Sequence, residues 1–206
     1  ARLYLVTDPT PDLLPRVEAA LQGGLTLVQY RDKKANDTER LALAQQMCQL
    51  CHNYGALFIL NDRVDLALAV DADGVHLGQQ DVSISLARRI LGSQRIVGKS
   101  TTSPAEMAQA IKEGADYIGV GPVYETPTKA GKAAAGLEYV QHAAKNATVP
   151  WFAIGGIDNT NIDDVIQAGA PAIAIVRAIM GADNPTHAVQ YCLSILNRVP
   201  QRGARS

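Results

Sequence analysis

The chain has 206 residues, of which 47% are hydrophobic and 19% charged, with a formal net charge of -1. That length makes one domain with a real core or two small ones. A near-neutral balance supplies no general field for nucleic acid or an anionic membrane, so neither is expected as a partner, and any phosphate binding must be local.

In chain order, short β-branched runs alternate with helical patterns. Strands are expected at 3–8, 25–31, 57–61, 74–78, 96–101, 117–122, 151–156 and 172–176. Helices are expected near 11–22, 37–54, 63–70, 83–91, 103–113, 137–146, 160–168 and 184–197. The chain opens at Ala1, almost directly in the first strand, as in a mature product or a piece of a longer polypeptide. ARLYLVTD lacks a signal peptide's long apolar centre. The first strand is followed by TDPTPDL rather than a glycine-rich nucleotide fingerprint, which counts against an open doubly wound sheet.

The second helix carries Cys48, Cys51 and His52 as CQLCH, which matches a c-type haem attachment pattern. Its apolar rhythm, Leu41, Ala44, Met47 or Cys48, then Cys51, is that of a packed helix face, and buried cysteine behaves as a small hydrophobe. Three cysteines do not make a disulfide scaffold and fit a reducing cytoplasm. Further along, Ser103-Pro104-Ala105-Glu106 is a capping box with proline at the first helical position.

Eight strand–helix units demand parallel strands with right-handed crossovers and predict a single (β/α)8 barrel, a TIM barrel, over residues 1–197. Residues 198–206 form a polar, basic tail. No uninterrupted apolar run reaches membrane-spanning length.

In such a barrel the active site lies at the carboxyl ends of the strands. Strand two ends in Gln29, Arg31 and Lys33, spaced by two and so expected on one face. Strand three ends in Asn61-Asp62-Arg63, and strand four runs through GQQD to Asp81. Strand five leads to Ser100, strand six to a loop with Thr126, Thr128 and Lys129, strand seven to Gly155-Gly156, and strand eight to Val176-Arg177. Arginine holds phosphate oxygens bidentately while lysines act as compact charges. Two carboxylates with substrate phosphates and waters are the usual way Mg2+ is held. Glycines let backbone N–H groups approach an anion closely. The mouth thus offers a metal-assisted diphosphate site and a second monophosphate site. Asp62 and Asp81 also read as helix caps. His76 reads as a hydrogen-bonded structural residue, and Lys99 as a solvent-facing one. No lysine is expected mid-strand in an apolar setting as a Schiff-base candidate.

The stretches VQYRDK, LNDRVDLALAVDADGVHLGQQD, IVGKSTTS, ADYIGVGPVYETPTKAG and FAIGGI together resemble the thiamine phosphate synthase family, over about residues 3–197. The resemblance implies joining of 4-amino-2-methyl-5-(diphosphooxymethyl)pyrimidine to 4-methyl-5-(2-phosphooxyethyl)thiazole, giving thiamine phosphate and pyrophosphate. It implies that Gln29, Tyr30, Arg31, Asp32, Lys33 and Asn61 hold the pyrimidine diphosphate, that Ser100 contacts the pyrimidine, and that Lys129 contacts the diphosphate. It further implies that Asp62 and Asp81 bind Mg2+, and that Thr126, Pro127, Thr128, Gly156, Val176 and Arg177 hold the thiazole phosphate. Arg177 stands where many relatives have Ser, and Tyr30 and Asp32 where the motif commonly has Leu and Glu. On this reading Arg31, Lys33 and Lys129 are catalytic, stabilising charge on the leaving pyrophosphate in a dissociative displacement. The rival is a thiazole tautomerase-like isomerase on the same barrel, which needs a proton shuttle and only one phosphate site.

Overall fold

A computed structural model describes residues 1–126 and 133–198. The strands are β1 (Leu3–Val6), β2 (Leu27–Tyr30), β3 (Leu57–Asn61), β4 (Gly74–Leu77), β5 (Ile96–Thr101), β6 (Tyr117–Val120), β7 (Trp151–Ile154) and β8 (Ile173–Ile175). They pair in parallel, each with its sequence neighbour, and Leu3 of β1 pairs with Ile173 of β8 to close the barrel. The (β/α)8 expectation holds.

The helices are α1 (Leu13–Gln22), α2 (Asp37–Asn53), α3 (Val64–Ala69), α4 (Ile84–Leu91), α5 (Pro104–Lys112), α6 (Gly136–Asn146), α7 (Ile162–Gln167), α8 (Arg177–Met180) and α9 (Pro185–Leu196). The short α8, which the sequence pattern does not announce, occupies the turn after β8. Several strands are shorter than expected, mostly at their carboxyl ends, where the chain splays into the mouth loops.

The strands read as continuous apolar runs because both faces are covered. Outward residues such as Leu3, Leu5, Val28 and Leu60 pack against the helices. Inward residues, among them Tyr4, Val6, Leu27, Ile59, Tyr117 and Phe152, fill the barrel. On α2, Ala44, Met47, Cys48 and Cys51 are the buried face, and burial raises the Cys48 thiol to about 11 and the Cys51 thiol to about 12. His52 turns instead to Asp73 at 3.0 Å. The helix-packing reading of CQLCH therefore holds. At α5 the Ser103 hydroxyl accepts from Glu106 N at 3.3 Å, while the Glu106 carboxylate reaches one residue further back, to Thr102 N at 2.7 Å.

Candidate functional site

The carboxyl ends of the strands surround a cavity of about 370 Å³. Gln29, at 3% exposure, points into the barrel and its Nε2 donates to the Tyr4 hydroxyl at 2.7 Å. Two residues on, Arg31 lines the cavity. Its backbone N–H donates to Thr7 Oγ1 at 3.0 Å, and its guanidinium lies 4.0 Å from Asp8. Lys33 reaches Asp62 at 3.1 Å. The intervening residues do not join the cavity, because alternation sends them outward. Tyr30 is buried between strands and helices, its hydroxyl without a hydrogen-bond partner among the described residues. The Asp32 carboxylate accepts from Lys34 N at 2.8 Å and Ala35 N at 3.0 Å, closing a turn.

Asp62 follows β3 directly with φ 63°, a left-handed conformation uncommon outside glycine, asparagine and aspartate, and its N–H donates to His76 O at 2.8 Å. Its carboxyl meets that of Asp81. Burial, and then the hydrogen bond and charge of Asp81, push the Asp62 carboxyl above the usual range, with Lys33 opposing. Asp81 Oδ2 accepts from Gly78 N at 2.6 Å. Neither aspartate is a helix cap. The residue before α3 is Arg63, without a side-chain cap bond, and α4 is capped by Ser83, which accepts from Leu86 N at 3.2 Å. Among the described residues no group of three or more His, Cys, Asp or Glu side chains forms a metal cage. Two adjoining carboxylates, the first directly after the cavity-lining Asn61, are instead the hard-oxygen donor set that suits a divalent cation completed by phosphate oxygens and water.

Lys99 corrects the expectation that it faces solvent. It lies mid-strand on β5 at 6% exposure, on the face away from the cavity, and its Nζ donates to Gly78 O at 2.9 Å. Helices cover that face, so the ammonium is held inside, under the turn that carries Asp81.

Across the mouth, Gly155 and Gly156 turn with φ 105° and 66°. A Cβ on Gly156 would lie 2.7 Å from Tyr124 Cβ. Asn161 Nδ2 donates to Gly156 O at 2.9 Å. Thr126, Gly156, Val176 and Arg177 line this side of the cavity, and Asn61 and Ser100 line its middle. Arg177 is exposed and close enough to Asp158 for its charge to lower that carboxyl, after the larger effect of the Thr160 hydrogen bonds. Pro127, Thr128 and Lys129 lie outside the described residues.

The cavity floor holds groups that sequence reasoning did not assign. Tyr4 and Tyr117 hydroxyls are 2.7 Å apart, and Tyr117 is 2.9 Å from His76 Nδ1. His76 Nε2 is 2.9 Å from Ser100 Oγ. Tyr4 in LYLV and Tyr117 in YIGV carry no local signal, because both faces of these strands are apolar.

Fold and site together define a (β/α)8 barrel whose mouth sets cations and paired carboxylates opposite a glycine-bordered pocket. The thiamine monophosphate synthase (TMP-TENI) family model matches residues 3–179, and the chain belongs to that family. It is 68% identical over 199 residues to a thiamine-phosphate synthase of Nostoc sp., covering 97% of this chain and 57% of that protein. It is 65% identical over 197 residues to the thiamine-phosphate synthase of Synechocystis sp., covering 96% of this chain and 57% of that one. The chain thus spans a little over half the length of these relatives. Among solved structures, a thiamine phosphate pyrophosphorylase from Pyrococcus furiosus superposes with a TM-score of 0.88 at 38% identity, covering 96% of both chains.

Proposed function

We propose that this chain joins the pyrimidine diphosphate to the thiazole phosphate, forming thiamine phosphate and releasing pyrophosphate. The observation that carries the reading is the meeting of Asp62, Asp81 and Lys33 at the strand ends, next in sequence to a cavity that Arg31 and Asn61 line on one side and Gly155-Gly156 and Arg177 on the other. Two phosphorylated substrates need two such sides. The names of the relatives support the same reaction.

In the displacement, the bond between the pyrimidine methylene carbon and the diphosphate oxygen breaks, and its electron pair leaves with the diphosphate. The substrate's amino group donates into the electron-poor methylene, and the thiazole nitrogen lone pair then forms the new C–N bond. That lone pair carries no proton, so no protein base is required. Arg31 stabilises the charge gathering on the leaving group from its place in the wall, and Lys33 does so once released from Asp62. The resemblance adds Lys129 to these cations. Ser100 and Gln29 orient the pyrimidine, and Val6, Phe152 and Ile154 keep the reacting carbon in a water-poor interior. Asp62 and Asp81 would hold Mg2+, which when bound supplies further charge neutralisation to the diphosphate.

The free, buried cysteines support a reducing, cytoplasmic setting. Among the described residues no helix is long and apolar enough to cross a membrane. The test is to mix the two substrates with and without Mg2+ and follow thiamine phosphate. Formation that depends on Mg2+ is expected. Isomerisation of a thiazole phosphate, without pyrophosphate release, would instead establish the tautomerase.

A further inference from the structure

The barrel floor contains one unbroken hydrogen-bonded chain through five side chains from five strands. It runs from Gln29 Nε2 to Tyr4 OH at 2.7 Å, to Tyr117 OH at 2.7 Å, to His76 Nδ1 at 2.9 Å, and from His76 Nε2 to Ser100 Oγ at 2.9 Å. Tyr4, Gln29, Tyr117 and His76 are all at 9% exposure or less, whereas Ser100 opens on the cavity. The fold makes room for this arrangement. A side chain at Gly98 would overlap the Tyr117 ring. The ring is also wedged edge-on between Tyr4, with centroids 5.8 Å apart, and Phe152, at 5.7 Å.

Such a chain has a direction. A neutral phenol has one hydrogen to donate, and desolvation keeps both Tyr4 and Tyr117 protonated. Gln29 enters Tyr4 as an N–H donor, so the Tyr4 hydrogen goes to Tyr117. The Tyr117 hydrogen then goes to His76 Nδ1. The imidazole proton is left on Nε2, donated to Ser100 Oγ. The serine hydrogen is therefore the last in the series, and it has the cavity to point into. Among the partners in this series, reversing a single link would leave a hydrogen facing another donor, at a cost comparable to a lost hydrogen bond.

We propose that Tyr4, Tyr117 and His76 are positioning residues that polarise the cavity floor, holding His76 as the Nε2–H tautomer and Ser100 as a hydrogen-bond donor to an acceptor atom on the heteroaromatic ring of the diphosphate substrate. The ring assignment rests on the proposed function. The polarity of the relay does not.

Nitrogen-15 NMR of the imidazoles in the full chain tests the relay directly, with the His76 signals identified by their loss in His76→Gln. In the neutral ring the proton is expected on Nε2. Tyr117→Phe keeps the aromatic packing but removes the donor to Nδ1, and should lower the Nε2–H share. The same variant should raise KM for the pyrimidine diphosphate about tenfold and leave KM for the thiazole phosphate within about twofold. Ser100→Ala should raise the same KM while His76 keeps its tautomer. A wild-type ring protonated on Nδ1, a tautomer that Tyr117→Phe leaves unmoved, or equal KM changes for both substrates would each overturn the relay. Failure of the wild-type chain to form thiamine phosphate would overturn the functional reading, while the tautomer measurement would still decide the relay.

Discussion

The Lys33 ammonium lies 3.1 Å from the Asp62 carboxylate, so the cation proposed to meet the diphosphate and a carboxylate proposed to hold the metal are paired with each other. Substrate and metal together would separate the pair, each taking one member. Lys33→Met should therefore act in two directions. Calorimetry on the ligand-free protein should show tighter Mg2+ binding, because Asp62 and Asp81 lose their only competitor among the described ion pairs. Turnover should fall, because the leaving group loses a cation. Parallel losses in both would contradict the exchange.

Arg31 should matter more. It is anchored through Thr7 and lines the cavity, whereas the Lys33 side chain is 60% exposed. Arg31→Ala should raise the barrier by about 3 kcal/mol, a loss of order 10² in turnover, measured as the rate of pyrophosphate release. Near-normal turnover would discredit leaving-group stabilisation as the main contribution.

Asp62 links the site to stability. Its carboxyl is raised in the folded protein, so its contribution is fully present below the unfolded value of 3.8 and is lost as pH rises through the folded value. At neutral pH without divalent metal, an ionised Asp62 next to Asp81 thus destabilises the fold. Asp62→Asn, which tolerates the left-handed backbone, should melt higher than wild type at pH 7, by about 2–4 °C per kcal/mol relieved. That advantage should vanish as the pH falls toward 4, and Mg2+ should no longer raise the melting temperature. Thermal scans across pH, with and without Mg2+, check all three.

At Gly156, φ 66° and the crowding of Tyr124 leave no room for a side chain. Gly156→Ala should cost about 1–3 kcal/mol of stability. It should also raise KM for the thiazole phosphate more than for the pyrimidine diphosphate. Denaturant melts and two-substrate kinetics give the two numbers.

Lys99→Met removes the support under Gly78, the residue whose N–H also holds Asp81. Removing the buried ammonium relieves its desolvation, which offsets the hydrogen bond lost at Gly78 O. The expected outcome is a weaker Mg2+ response, read as a smaller Mg2+-dependent rise in melting temperature, with unfolding free energy within about 1 kcal/mol of wild type. An unchanged Mg2+ response would mean that the turn holds Asp81 without Lys99.

The polar residues at the strand ends are legible in the sequence because they interrupt apolar runs at a fixed place in each unit. Gln29, Arg31, Asn61, Asp62 and Asp81 were readable in this way, and all lie at one mouth. Lys99 was not readable. Its neighbours Gly98 and Ser100 are polar or small, which resembles a solvated strand end, and only the helices packed over β5 show that its outward face is interior. The aspartates allow two readings in the sequence, and the places of Arg63 before α3 and Ser83 before α4 decide between them.

The sequence by itself determined the alternation of strand and helix, hence the closed parallel barrel, and the chemical inventory at its mouth. Both follow from local rules, since the period of side-chain alternation and the signals of caps and turns act over a few residues. Tertiary structure alone decided which polar groups face one another. Tyr4 and Tyr117 are 113 positions apart and meet only because the barrel closes, and the direction of the hydrogen bonds between Gln29 and Ser100 is a property of that meeting. Contacts across a barrel depend on closure and register, which no single stretch of chain encodes.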